Sequence, residues 1–191
     1  MCGICGLAGN GIVQKDLDVL VELLQVSTVR GQHGTGIAQA HVHRDGKGNT
    51  NLIQKNAMEV NSFLRYHLGT KEGNQLLLRS CLDNVFIGHV RQPTRGDVNV
   101  KNTHPFKIHD LIGCHNGTLT DWRFIKKDIT DSELLIQTIE KNGASKTLTD
   151  LEESNAFAIV TLDVKTGQLT FVRNKHRPLH LAFNTQIGRA S

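Results

Sequence analysis

The distribution of strand-like and helix-like patterns along the chain most constrains its fold. Short apolar segments typical of strands lie near both ends, at residues 2–8, 156–163, 168–174 and 179–184, and further strands are predicted at residues 37–43, 51–55, 85–91 and from 110 onwards. Amphipathic patterns predict helices at residues 15–27, 57–68 and 131–143. Strands that cluster at the ends, with helices between them, favour a layered α+β domain over a regular alternation of strand and helix.

Local signals define several element ends. Leu17, Leu20, Val21 and Leu24 fall on one face of the first predicted helix. Asp131 is placed to cap the third helix, and Asn142-Gly143 to end it. The segments RDGKGN and VKTG predict hairpin turns, Asn116-Gly117 predicts a turn after the strand that begins near residue 110, and residues 92–105 have the composition of a loop.

Length and composition exclude several classes of protein. The 191 residues are enough for one domain with a sizeable core, and no boundary, repeat or low-complexity segment divides them. The net charge is only +4 and the basic residues are scattered, so nucleic acid is not an expected ligand. No apolar run approaches the roughly 18 residues of a membrane span, and the start MCGICGLAG lacks the features of a secretory signal.

The four cysteines, Cys2, Cys5, Cys81 and Cys114, are too few for a disulfide scaffold in a chain of this length, and they indicate a reducing cytoplasm. The spacing Cys2-x-x-Cys5 raises a zinc or dithiol site as an alternative, but no second close pair accompanies it. We therefore expect no metal and no cofactor.

Cys2 follows the initiator methionine directly. Removal of Met1 would give this residue a free α-amine beside its thiol, and such an amine titrates at about 7.7 to 8.0, close to ideal for a general base. A thiol with a base on the same residue is a compact nucleophile. The alternative is a small apolar residue at the start of a buried strand.

Other polar residues come at the ends of predicted strands or at a helix start. Arg91 is suited to bind a carboxylate, and Thr94 lies three residues further on. The Asn116 amide and the Gly117 N–H could both donate to an oxyanion, although Asn-Gly is also an ordinary turn signal. Asp131 could bind an ammonium group besides capping its helix. Arg91 and Asp131 together would suit an α-amino acid.

Five ordered segments, MCGICGLAG, VRGQHGTGIA, GHVRQPTRGDVNVKNTHPF, CHNGTLTDW and TDSELL, resemble the glutaminase domain of class II glutamine amidotransferases, which are N-terminal nucleophile hydrolases. The resemblance runs from residue 2 to about residue 183. It implies a four-layer αββα sandwich, in which two stacked antiparallel sheets lie between helices. It also implies a glutaminase that releases ammonia from L-glutamine through a γ-glutamyl thioester and passes it to a synthase domain or subunit.

The resemblance assigns a role to each matching position. Cys2 would be the nucleophile and Asn116 and Gly117 the oxyanion hole. Arg91 would bind the glutamine carboxylate with Thr94 beside it, and Asp131 would bind the ammonium. The supporting residues would be Arg30, Gly31 and His104.

The sequence departs from the family pattern at three places. His33 and Gly34 replace the Asp-Ser pair of an RGxDSxG-like motif, Gln92 and Pro93 stand where an aromatic and a small residue are usual, and Asn155 replaces a small residue. We expect one amidotransferase domain over residues 1–191, short at its carboxyl end and without a synthase domain, either as a stand-alone glutaminase or as a fragment of a longer synthase. Two alternatives remain, an N-terminal nucleophile hydrolase for another amide and a non-catalytic module that binds glutamine or a partner.

Overall fold

The computed structural model describes residues 2–43, 48–69, 84–94, 96–149, 151 and 155–183. Two four-stranded antiparallel sheets contain all of its strands. The first sheet has the order β1-β4-β2-β3 and consists of β1 (Gly3–Ala8), β2 (Gly34–His41), β3 (Thr50–Asn56) and β4 (Val85–Arg91). The second has the order β5-β6-β7-β8 and consists of β5 (Phe106–Ile108), β6 (Leu111–Thr118), β7 (Ala156–Asp163) and β8 (Leu169–Arg173).

Among the described residues, four α-helices lie outside the two sheets. They are α1 (Gln14–Val26), α2 (Val60–Gly69), α3 (Asp131–Asn142) and α4 (Ala144–Thr149), with short 3₁₀ helices at Ser27–Arg30 and Trp122–Phe124. In the described part of the chain, every helix is too short or too polar to cross a bilayer.

The described helices and sheets form four layers in the order helices, sheet, sheet, helices, and an apolar cluster lies between each layer and the next. Leu20 and Leu24 of α1 pack with Phe63 of α2 against the first sheet, and Leu135 and Ile136 of α3 pack against the second. The middle cluster joins the sheets and includes Ala38, Ile87, Ile112, Cys114, Val160 and Leu162. Because side chains alternate along a strand, six of the eight described strands contribute to two clusters; in β2, for example, Ile37 faces the helices and Ala38 faces the other sheet. The predicted αββα sandwich is confirmed.

The registers of three strands bring distant segments to one end of the first sheet. Gly3 at the start of β1 pairs with Val90 near the end of β4, and Gly34 at the start of β2 pairs with Arg91. Cys2 therefore lies beside the residues that follow β4. The candidate site forms at this end.

Three local predictions are wrong. Residues 179–183 form no strand, and residue 184 lies outside the described residues. Asn116-Gly117 is not a turn but part of β6, because both residues pair with β7. Asp131 is not the N-cap of α3, since the Thr130 side chain accepts the capping hydrogen bond from the Glu133 N–H. The short elements β5 and α4 carried no signal strong enough to predict them.

Other local predictions are confirmed. The loop after β4 contains no strand or helix in its described residues up to Pro105. The hairpin at VKTG joins β7 and β8, where the Gly167 N–H donates to the Asp163 carbonyl at 2.8 Å. Strands β2 and β3 pair as predicted, while residues 44–47 of their connection, like Cys81, lie outside the described residues.

Candidate active site

The Cys2 thiol lies against the main chain of Gln92. The Gln92 N–H donates to Cys2 Sγ at 3.3 Å, and the thiol can donate to the Gln92 carbonyl at the same distance. Arg30, at the end of the first 3₁₀ helix, donates from Nε to the Cys2 carbonyl at 2.8 Å. The nucleophile candidate is therefore bound through both its side chain and its main chain.

The segment Arg30 to His33 packs directly on the end of β4. Gly31 lies so close to the Arg91–Gln92 peptide that a Cβ there would come within 2.6 Å of the Arg91 carbonyl carbon. The backbone of Gly31 is extended, so the close approach is what requires glycine. The His33 N–H donates to the Arg91 carbonyl at 3.1 Å.

Arg91 is almost fully buried at the end of β4. Its Nη1 donates to the Asp97 carbonyl at 2.7 Å and its Nη2 to the Gly96 carbonyl at 3.3 Å. The guanidinium also lies near enough to the Cys2 thiol and the Asp131 carboxylate for their charges to act on it. It thus connects the nucleophile candidate, the following loop and the start of α3.

Asp131 is the first residue of α3 and is buried. Its Oδ2 accepts a hydrogen bond from the Leu119 N–H at 3.0 Å, and its Oδ1 accepts one from the Ser132 N–H at 2.9 Å. Because a carboxylate offers about four acceptor sites, two bonds leave capacity for an ammonium group.

One narrow cleft collects most of the predicted site residues. Its volume is about 20 Å³, room for about one water molecule. It is lined by Cys2, Arg91, Gln92, Thr94, Asn102, His104, His115, Gly117, Thr130, Asp131 and Ser132. Arg30 and Gly31 lie behind the cleft and contact the residues that line it.

The Asn116 side chain does not line this cleft. It lies beside the His89 ring, but the geometry falls short of a hydrogen bond, and Asn116 Oδ1 has no partner among the described residues. Gly117 reaches the cleft, and its φ of 155° belongs to a backbone conformation that favours glycine. The two predicted oxyanion donors are therefore adjacent in β6, with only Gly117 at the cleft.

Sequence reasoning missed two of the three histidines that back the cleft. His89, His104 and His115 are all buried. The His89 and His104 rings lie 4.0 Å apart between centroids, and His115 Nδ1 lies 2.8 Å from Ser132 Oγ. Strand alternation could have indicated them, because His89 precedes Arg91 by two residues and His115 precedes Gly117 by two.

Burial controls the charge of these groups. It lowers the pKa of His89 to about 3 and that of His115 to about 4, and it lowers the His104 pKa well below its usual value. All three imidazoles are therefore neutral near pH 7. Burial also raises the pKa of the Cys2 thiol, and the Gln92 N–H partly offsets this effect.

The other described cysteines differ from Cys2. Burial raises the pKa of Cys5 to about 12 and the Cys114 pKa well above its usual value, so neither is suited to act as a thiolate. Cys2, Cys5 and Cys114 are all free. Within the described ranges, no group of three or more His, Cys, Asp or Glu side chains is arranged to bind a metal.

Asn155, a departure from the family pattern, has a structural contact. Its Oδ1 accepts a hydrogen bond from the Thr120 N–H at 2.7 Å, and its carbonyl accepts one from Asn174 Nδ2 at 2.7 Å. This buried residue thus connects the turn after β6 to the residue that follows β8.

Comparison with known proteins places this geometry in a family. The sequence profile described as glutamine amidotransferases class-II matches residues 18–181. The amidophosphoribosyltransferase of Pseudomonas aeruginosa is 31% identical over 137 residues, which are 70% of this chain and 24% of that protein. The glutamine–fructose-6-phosphate aminotransferase (isomerizing) of Streptococcus pyogenes is 26% identical over 200 residues, or 94% of this chain and 30% of that protein.

Among solved structures, the glutamine phosphoribosylpyrophosphate amidotransferase of B. subtilis, complexed with ADP and GMP, aligns with a TM-score of 0.49 and 19% identity, over 84% of this chain and 35% of that one. The chain thus spans about a quarter to a third of the length of these relatives. The profile match covers well over half of the chain. The chain belongs to the class II glutamine amidotransferases.

Proposed function

We propose that this chain hydrolyses L-glutamine to glutamate and ammonia, with Cys2 as the nucleophile. The observation that carries the proposal is the shared cleft of Cys2, Arg91 and Asp131. A buried guanidinium and a buried carboxylate flanking a thiol match the carboxylate, ammonium and side-chain amide of one α-amino acid. A glutamine oriented by both charged groups would present its amide carbon to Sγ.

The reaction uses groups of the chain itself. Once Met1 is removed, the Cys2 α-amine takes the thiol proton and Sγ attacks the amide carbon. The Gly117 N–H and the Asn116 side-chain amide would stabilise the oxyanion, provided that Asn116 turns toward the cleft. The amine returns its proton to the leaving ammonia, a γ-glutamyl thioester remains, and water hydrolyses it. Thr94 would line the substrate end, and Arg30, Gly31 and His104 would support the site.

The cleft must widen for this chemistry. Room for about one water molecule cannot accommodate an amino acid. Two of the Arg91 hydrogen bonds go to carbonyls of the loop, those of Gly96 and Asp97. A substrate carboxylate would replace these carbonyls as the acceptor, which would release the loop at residues 96–97 and open the space that glutamine needs.

We further propose that the ammonia is used by a synthase, either a further domain or a separate subunit, and that residues 1–191 form one glutaminase domain. The relatives support a shared glutamine reaction but not one acceptor, because their names refer to a phosphoribosyl group and to fructose 6-phosphate. A reducing, cytoplasmic location would suit a reaction that needs a free thiol, and Cys2 is unpaired.

The test is glutamate release from L-glutamine by protein whose intact mass shows whether Met1 is absent. We expect turnover by the Met-free protein and a loss of nearly all activity in Cys2→Ser, because an alkoxide forms far less readily than a thiolate. Cys5→Ser is the matched control and should retain activity. Turnover by a chain that keeps Met1 would contradict the mechanism, and turnover of other amides but not of glutamine would contradict the substrate.

A domain that releases ammonia without an acceptor would waste glutamine, so we expect low basal turnover until the synthase docks. Glutaminase rates with and without a co-purified synthase would test this expectation, and equal rates would contradict it. Glutamine binding without turnover in either condition would indicate the non-catalytic alternative.

A further inference from the structure

We propose that His33 and Gln92 form a positioning pair that keeps the Gln92 peptide against the Cys2 thiol. The catalytic meaning of this pair rests on the proposed glutaminase function. Its effect on the thiol itself can be measured without glutamine.

The two side chains contact each other directly. His33 Nδ1 lies 3.1 Å from Gln92 Oε1, although 59 residues separate the two positions. An amide oxygen only accepts hydrogen bonds, so the contact requires a proton on Nδ1. The His33 main chain makes a second contact nearby, where its N–H donates to the Arg91 carbonyl at 3.1 Å. Residue 33 therefore bonds to residues on both sides of the Arg91–Gln92 peptide bond.

That peptide is the immediate environment of the nucleophile candidate. Its Gln92 N–H lies 3.3 Å from Cys2 Sγ, and the Gln92 carbonyl, which belongs to the next peptide, lies at the same distance. Gly31 packs on the same Arg91–Gln92 peptide, at a distance that leaves no room for a side chain. A rotation of the peptide would therefore move the one main-chain donor that contacts the thiol among the described residues.

The contact joins two positions at which the sequence departs from its family. His33 stands where the RGxDSxG-like motif has Asp, and Gln92 stands where an aromatic residue is usual. A change at one member of a contacting pair alters what its partner can bond to. The departures at His33 and Gln92 therefore fall within one contact.

The test uses His33→Ala, Gln92→Ala and the double variant in the full chain. We expect each single change to slow the alkylation of Cys2 by iodoacetamide, mapped by peptide mass spectrometry, and to lower kcat for glutamine, both by about threefold to tenfold, with KM changed less than twofold. The double variant should be no slower than the slower single variant, because both changes remove the same contact.

A conservative variant separates positioning from general damage. Asn at position 33 keeps an N–H donor near the place of Nδ1, so His33→Asn should restore both rates relative to His33→Ala. Gln25→Ala removes another exposed side-chain pair, the 3.2 Å hydrogen bond from Gln25 to Asn61, and should change neither rate.

Several results would overturn the proposal. These are alkylation rates within twofold of wild type in both alanine variants, losses that multiply in the double variant, or a raised KM at unchanged kcat, which would assign the pair to substrate binding. If the wild-type chain does not hydrolyse glutamine, the proposed function fails, while the alkylation rates still decide whether the pair positions the thiol.

Discussion

At the scale of single residues, the site depends on small polar groups whose partners come from other segments. Asp131 is one example. Its position at the start of α3 predicts a helix cap, but its carboxylate instead accepts a hydrogen bond from the N–H of Leu119, which directly follows β6. Thr130 caps the helix in its place. The change of partner keeps the carboxylate at the cleft, where it could meet a substrate ammonium.

Asn116 provides the sharpest prediction at this scale. If its amide donates to the oxyanion, Asn116→Ala should lower kcat for glutamine hydrolysis by about a hundredfold to a thousandfold, with little change in KM. Steady-state glutamate release would measure both constants. Asn116→Asp keeps the shape but loses the N–H donor, so it should be similarly impaired. A fall of less than threefold in both variants would remove Asn116 from the oxyanion hole.

At the scale of elements, the packing of α3 on β6 determines how the start of that helix reaches the cleft. Ile136 is fully buried, and it lies directly over Gly113 of β6. Glycine at this position lets the helix approach the sheet closely. The same helix begins with Asp131, so its distance from the sheet also sets the position of a site residue.

Gly113→Ala should lower the free energy of unfolding by about 1–3 kcal/mol, because the added Cβ would overlap the Ile136 Cδ1 methyl. Adding Ile136→Val shortens that side chain and should recover part of the loss. Urea unfolding would measure these differences. Gly9→Ala, where a Cβ would meet nothing within 4 Å, is the control and should change stability by less than about 0.5 kcal/mol. Equal effects of the two alanine substitutions would contradict this packing argument.

At the scale of the whole molecule, the buried histidines connect stability to pH. In the native protein the pKa values of His89 and His115 are about 3 and about 4, and that of His104 is also lowered. An unfolded histidine titrates near 6.5. At pH values between the native and the unfolded pKa values, the unfolded chain binds protons that the native protein does not. Acid therefore favours unfolding.

The free energy of unfolding should therefore fall as the pH drops from about 6.5 toward 4, by up to about 1.4 kcal/mol per pH unit for each such histidine. Urea unfolding at several pH values would give the slope. His115→Asn keeps a group that can reach Ser132 Oγ but does not titrate, so its slope should be smaller. His176→Gln alters an exposed histidine and should leave the slope unchanged. Identical slopes for His115→Asn and wild type would contradict the prediction.

Local patterns predicted much of the fold and part of the candidate site. Alternation and helical periodicity depend on neighbours within a few residues, so α1, the strands β1 and β4 and the VKTG hairpin could be read directly. The ordered motifs also indicated Cys2, Arg91 and Asp131, which the structure brings to one cleft.

What the sequence alone determined, then, is the type and order of most elements and the chemistry of the residues at their ends. The tertiary structure decided which of those residues meet. Pairing with β7 keeps Asn116-Gly117 in a strand against its local turn preference, because the ladder and its neighbours outweigh that preference. The bonds from Gln92 to Cys2 and to His33 span 90 and 59 residues. Contacts of that range leave no periodic trace in the sequence, since they arise only when the packed sheets bring the segments together.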